Sequence, residues 1–202
     1  SLSKILKKSK IEKIYVFDVN DYIKHSFKVI QSVKKVFPST LLIVRSSTSD
    51  EDQLSNSSAG KYTSVLNVKS DEDRLKDAIE QVIASYNRYG LNLSKEKILI
   101  QEQSKDIVIS GVVFTRDLRT YGHYYLVNYD DESGCTDTVT GGLIGKVIRF
   151  SRGVDDNDCP AKWRTLIDAV REIENILTGM ILDIEFGIDK KGRVIIYQVR
   201  PL

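Results

Sequence analysis

Strict alternation in MILDIEFGI, residues 180–188, fits one regular conformation: an extended strand with a single apolar face. Met180, Leu182, Ile184, Phe186 and Ile188 line one side, and Asp183 and Glu185 share the other. After the turn signal Asp189-Lys190-Lys191-Gly192, the run RVIIYQVRP places Ile195, Tyr197 and Val199 on one face and Gln198 and Arg200 on the opposite one. With Lys191-Gly192 as the turn, Glu185 lies across from Gln198 and Asp183 across from Arg200. Carboxylate and amide oxygens suit Mg²⁺, and a planar guanidinium suits phosphate, so the patch points to metal–nucleotide chemistry. The same alternation also describes a hairpin whose polar side is simply solvated.

The rest of the chain must supply a core for that hairpin. With 202 residues, 41% hydrophobic and 29% charged, it is long enough for one large globular domain or two small lobes. A formal net charge of +2 gives no bulk electrostatic case for nucleic acid or a membrane surface. The lysines of SKILKKSKIEK read as a solvated amphipathic segment. Cys135 and Cys159 form neither a disulfide framework nor a zinc spacing, which fits a reducing cytoplasm. No apolar run reaches bilayer length.

Periodicity predicts a strand over 13–18 and a helix over 21–36 capped at Asn20-Asp21. Tyr22, Ile23, Phe27, Ile30, Val33 and Phe37 fall near helical spacing along it. A buried strand over 41–45 ends at Ser46-Ser47, and a polar surface loop leads to a strand over 62–68. A helix over 71–89 is closed by Gly90, and strands follow over 97–103, 107–115, 123–129 and 145–151. Pro160 opens a last helix to Leu177, with Trp163, Leu166, Ile167, Val170 and Ile173 in its stripe and Gly179 as its cap. Tight connections between strands imply antiparallel pairing and an α+β class of about three helices and eight strands. The expected lobes are 1–96 and 97–202.

Three further segments carry chemistry. Arg45 leaves a buried strand and precedes a Ser/Gly-rich loop able to enclose phosphates, or to be an ordinary exposed loop. QEQ at 101–103 and SGVVFTRD at 110–117 offer strand-edge amides and the pair Thr115 and Arg116, or plain hairpin strands. The loop NYDDESGCTDTVTGG, 128–142, lacks the calcium-loop pattern. His25 and His123 have no partner motif and read as structural.

Taken in order, VRSS, SAGKYTSVLNV, QEQ, SGVVFTRD, DIEF and QVRP resemble the ATP-binding domain of the phosphoenolpyruvate synthase and pyruvate phosphate dikinase family. The resemblance implies an ATP-grasp fold with ATP and Mg²⁺ as cofactors. It implies that Arg45 and Arg200 contact phosphates and act in catalysis. Ser58, Ala59 and Gly60 would form the phosphate clamp, and Gln101, Glu102 and Gln103 the adenine-side strand. Thr115 and Arg116 would lie near phosphate, Glu185 and Gln198 would hold metal, and Asp183 would support them.

The start, SLSKILKKSKIEKIYVF, departs from the family's lysine-bearing GGKGxNL-like opening, so no phosphate-binding lysine is assigned. DDESGCTD stands where relatives carry a GLGE-like segment and resembles the surface-polysaccharide branch that includes L-glutamine kinase. The resemblance thus implies the nucleotide-binding part of a longer cytoplasmic phosphotransferase. Its partners would be a swivelling phosphohistidine domain and an acceptor-binding domain of the same protein. The acceptor expected is the amide of L-glutamine in capsule phosphoramidate synthesis. Pyruvate, an antibiotic hydroxyl, and a non-catalytic nucleotide-binding role are the alternatives.

Overall fold

The computed structural model describes residues 5–48, 63–117, 120, 122–132, 145–155 and 158–202. Among them the elements run β1 (Ile14–Asp18), α1 (Val19–Val36), β2 (Leu41–Ser47), β3 (Ser64–Lys69), α2 (Glu72–Arg88), β4 (Lys97–Glu102), β5 (Ile107–Phe114), β6 (Tyr124–Asp130), β7 (Lys146–Ser151), α3 (Ala161–Ile176), β8 (Leu182–Asp189) and β9 (Val194–Pro201). They form two compact units, residues 12–103 and residues 1–11 with 104–202. The expected lobe boundary at 96/97 falls elsewhere because β4 pairs with both β1 and β2, which ties residues 97–102 to the first unit.

The unit spanning 12–103 is a four-stranded antiparallel sheet, order β1-β4-β2-β3, with α1 and α2 against one face. Leu42, Val44, Ile98 and Ile100 project into the core, where they meet Ile30, Val33, Leu75, Ile79 and Val82. The Asp71 side chain caps α2 by accepting from the Arg74 N–H at 2.9 Å. Gly90, at φ +68°, supplies the left-handed conformation that ends it.

Two expectations change here. α1 begins at Val19 with Asp18 at its N-cap, ahead of Asn20-Asp21. Its stripe is Tyr22, Val29, Ile30 and Val33, whereas Ile23 and Phe27 are 60% and 66% exposed. The helical path is interrupted at His25 (φ −141°, ψ 45°), and the buried side is narrower than the apolar pattern suggests. β2 also runs on through Ser46 and Ser47, which pair with Ile98 and Lys97. The Ser47 N–H donates to the Tyr86 hydroxyl at 3.1 Å, and that hydroxyl donates to the Lys97 carbonyl at 2.6 Å. A buried tyrosine thus continues the strand beyond its apolar residues.

The second unit is a five-stranded antiparallel sheet, order β7-β6-β5-β8-β9, with α3 packed on one face. Trp163 is its largest fully buried side chain and meets Tyr129 edge-on at 4.6 Å. Pro160 is the N-cap of α3 rather than its first residue, and Leu177 is the C-cap, two residues before the predicted Gly179. Residues 5–11 strap the outer edge of β9: the Lys10 N–H donates to the Val194 carbonyl, and the Ile196 N–H to the Lys10 carbonyl. The N–H groups of Lys7 and Lys8 donate to the Glu172 carboxylate and anchor the strap on α3.

Candidate functional site

The closing hairpin pairs Asp183 with Arg200 and Glu185 with Gln198, as the alternation implies, but by a different route. Its loop has three residues, because the Asp189 N–H donates to the Arg193 carbonyl across Lys190, Lys191 and Gly192. Gly192, at φ +74°, provides the left-handed residue. The Asp189 carboxylate accepts from the N–H groups of Lys191 and Arg193 and from the Arg193 guanidinium. Burial opposes ionisation of Asp189, but these donors outweigh it and hold the carboxyl below its usual range.

A three-residue loop alone would leave Gln198 one residue out of step with Glu185. A β-bulge restores the register: Phe186 pairs with Ile196, Glu185 with Gln198, and Tyr197 is the extra residue. Ile195 therefore moves to the face of Gly187, off the expected Ile195-Tyr197-Val199 face, while Val194 and Ile196 enter the core. Gly187 lies under Tyr197, whose hydroxyl would stand 2.4 Å from a Cβ there.

Above this register lies a compact charged patch. Arg200 Nη2 donates to Asp183 Oδ2 at 2.8 Å and lies 3.7 Å from Glu185 Oε1. Asp183 Oδ1 is buried with no hydrogen-bond partner among the described residues. Burial pushes the Asp183 carboxyl above the usual carboxylate range, and the Arg200 guanidinium pulls it part of the way back. β5 and β6 extend the same face. Val112 pairs with Glu185 and with Asn128, whose buried Oδ1 also lacks a partner among the described residues. Sequence reasoning misses Asn128; a polar residue in mid-strand within HYYLVNY is the signal that could have found it.

The other predicted residues divide between the units. Thr115 is fully buried, and its hydroxyl accepts from the Leu182 N–H at 2.9 Å, so its oxygen serves the β5–β8 junction. Arg116 Nη1 contacts His123 Nε2 at 2.9 Å. In the 12–103 unit, Arg45 and Gln101 share the sheet face opposite the helices with Ile14, Val16, Ile43 and Leu99. Glu102 ends β4, and its N–H donates to the Lys13 carbonyl. The Gln103 amide accepts from the Asn67 N–H at 2.7 Å and donates to Asn67 Oδ1 at 2.9 Å. Ser58, Ala59 and Gly60 lie outside the described residues, as does the stretch 133–144 of the acidic loop.

Among the described residues no cluster of three or more His, Cys, Asp or Glu could hold a metal by itself. A cation held by Asp183, Glu185 and Gln198 fits this, because Mg²⁺ commonly takes one or two carboxylates and completes its shell with phosphate oxygens and water. The orphaned Asp183 Oδ1 and its disfavoured charge suit a cation placed there.

Two antiparallel sheets with helices, in this order, define an ATP-grasp fold. Residues 3–142 match the family model described as pyruvate phosphate dikinase, AMP/ATP-binding domain, and the chain belongs to that family. The hairpin lies beyond the matched residues. No curated protein sequence gives a significant match.

Solved structures agree on the fold at low identity. The D-alanine–D-alanine ligase of Helicobacter pylori superposes with a TM-score of 0.51 at 13% identity, over 96% of this chain and 49% of the ligase. ACD1 of Ca. Korarchaeum cryptofilum, in complex with coenzyme A, gives 0.52 at 14% identity, over 95% of this chain and 84% of that one. The dinucleotide-forming acetyl-coenzyme A synthetase 1 of the same organism, in complex with coenzyme A and Ca-AMPCP, gives 0.50 at 16%, over 95% and 85%. The chain spans about half the length of the ligase. Among the described residues no helix is long and apolar enough to cross a membrane.

Proposed function

We propose that this chain is the nucleotide-binding part of a dikinase-type phosphotransferase and that its closing hairpin holds the metal–phosphate end of ATP. The observation that carries the reading is the Asp183–Arg200 pair beside Glu185, with one Asp183 oxygen buried and unpartnered among the described residues. Glu185, Gln198 and Asp183 are the groups to hold Mg²⁺. Held there, Mg²⁺ would supply positive charge to offset the charge that develops on the phosphates. Arg200, fixed by Asp183, presents the rest of its guanidinium as a rigid donor fork to a phosphate. Within the 12–103 unit taken by itself, Arg45 is the residue proposed for phosphate and Gln101 to Gln103 the strand end proposed for the base.

Phosphoryl transfer would then run through a histidine on a separate domain to the final acceptor. The amide of L-glutamine is the acceptor we favour, supported by the sequence DDESGCTD alone. Pyruvate is the alternative within the family.

Isothermal titration with a non-hydrolysable ATP analogue, with and without Mg²⁺, tests the site in wild type and Glu185→Ala. Metal-dependent binding that weakens about tenfold or more in the variant is expected, equivalent to about 1.4 kcal/mol. Equal, metal-independent affinity in both proteins would remove the hairpin from the site.

A further inference from the structure

A cavity of about 470 Å³ opens in the five-stranded-sheet unit, lined by Arg116, Arg152, Arg171, Glu174 and the 178–181 turn. It borders the α3-covered side: Tyr125 and Leu182 project into that side, and Asp183 and Glu185 project from the opposite one. The hairpin patch and the cavity are therefore separate features of one sheet, and a ligand in the cavity is independent of the nucleotide proposed for the patch.

The lining is charged and internally braced. Arg152 stacks on the Tyr125 ring, its guanidinium carbon 5.0 Å from the centroid. Arg152 Nη1 donates to the Thr115 carbonyl at 2.8 Å and to Glu174 Oε1 at 2.7 Å. The Tyr125 hydroxyl donates to Glu174 Oε2 at 2.7 Å. Both oxygens of the Glu174 carboxylate are thus engaged. Burial, followed by the bond and charge of Glu174, pushes the Tyr125 hydroxyl up to about 12, so it stays a neutral donor. Arg171 is held by the Val154 carbonyl at 2.6 Å.

Arg116, Arg152 and Arg171 line the cavity together with Glu174. Arg152 Nε and Nη2 have no hydrogen-bond partner among the described residues. A planar fork, fixed on one edge and open on the other, is the geometry that binds an oxyanion in two-point fashion. The exposed side chains of Asn175 and Thr178 add neutral donors. The volume exceeds that of a simple ion and falls within the range of small-molecule sites.

We propose that this cavity binds a small organic molecule through a phosphate or carboxylate group held by Arg152 and Arg116.

The test is a site-resolved nuclear magnetic resonance titration of the ¹⁵N-labelled chain with inorganic phosphate and, separately, succinate, against sodium chloride at equal ionic strength. Saturable shifts at the amides of Arg116, Thr178 and Gly179 are expected with at least one of the two. The tighter ligand names the oxyanion class. Arg116→Gln should weaken the binding roughly tenfold. Thr178→Phe, which fills the exposed rim without touching the Arg152–Glu174–Tyr125 network, should abolish it with the remaining spectrum retained. Shifts that do not saturate, that chloride reproduces, or that survive both substitutions would overturn the proposal. Glu185→Ala should leave the titration unchanged, which separates this outcome from that of the nucleotide site.

Discussion

Gly187→Ala puts the register of the hairpin under direct test. A Cβ at 187 would lie 2.4 Å from the Tyr197 hydroxyl oxygen, 3.0 Å from Cζ and 3.1 Å from Cε2. To reach ordinary contact the hydroxyl must retreat by about 1 Å, and it is buried. Overpacking of this size costs about 1–3 kcal/mol. The strand preference of alanine over glycine returns about 0.5–1 kcal/mol. A net loss centred on about 1 kcal/mol results, which for a chain of this length lowers Tm by roughly 2–4 °C.

Because Tyr197 is the bulge residue, the displacement should also turn Gln198 relative to Glu185 and weaken Mg²⁺-dependent nucleotide binding. Urea unfolding and the same titration on wild type, Gly187→Ala, Tyr197→Phe and the double variant give a complete cycle. Removing the hydroxyl deletes the 2.4 Å contact, so the double variant should recover most of what the alanine costs. A Gly187→Ala protein as stable as wild type, or a double variant that recovers nothing, would refute the argument.

Gly111→Ala should be worse, because its Cβ would meet backbone: the Asn128 carbonyl at 2.2 Å and Tyr129 Cα at 2.8 Å. Strand separation then costs about 3 kcal/mol or more, seen as a larger fall in the urea midpoint than for Gly187→Ala. Asp189→Ala should cost about 2 kcal/mol at pH 7 by stripping the hairpin loop of its acceptor. The Asp189 pKa is depressed in the folded chain, so its contribution is present above the unfolded value of about 3.9 and is lost as pH falls through the folded one. The gap between variant and wild type should therefore narrow below about pH 4 in acid unfolding, and a gap of constant size would count against it.

The elements most legible in the sequence are those whose burial follows one period. The stripe Trp163, Leu166, Ile167, Val170 and Ile173 and the alternation Leu182, Ile184, Phe186 and Ile188 both reappear as core. Where a second force intervenes, the pattern misleads. Ile23 and Phe27 sit at helical spacing yet face outward beside the irregular His25. Ser46 and Ser47 look like a strand end, but pairing with β4 and the Tyr86 hydroxyl keep them extended.

The hairpin gives a subtler case. The opposition of Glu185 to Gln198 is legible in the alternation, but a two-residue turn is the wrong reason for it. A three-residue loop and a bulge offset one another, and local turn chemistry does not encode a bulge four residues away. The Arg152–Glu174–Tyr125 network is invisible in the sequence because it joins residues far apart in the chain.

The strap of residues 5–11 makes the five-stranded-sheet unit a product of two segments far apart in sequence. β9 would otherwise present the backbone groups of Val194 and Ile196 along a free edge, the feature on which β-rich proteins template aggregation. Segment 104–202 made alone is therefore a poor unit for dissection: it should recruit a foreign strand or precipitate. Adding residues 5–11 in trans as a peptide should restore its solubility. The same connectivity delays completion of that sheet's edge until residues 5–11 meet residues 194–196, across the whole of the 12–103 unit. That is a non-local closure of the kind that slows folding.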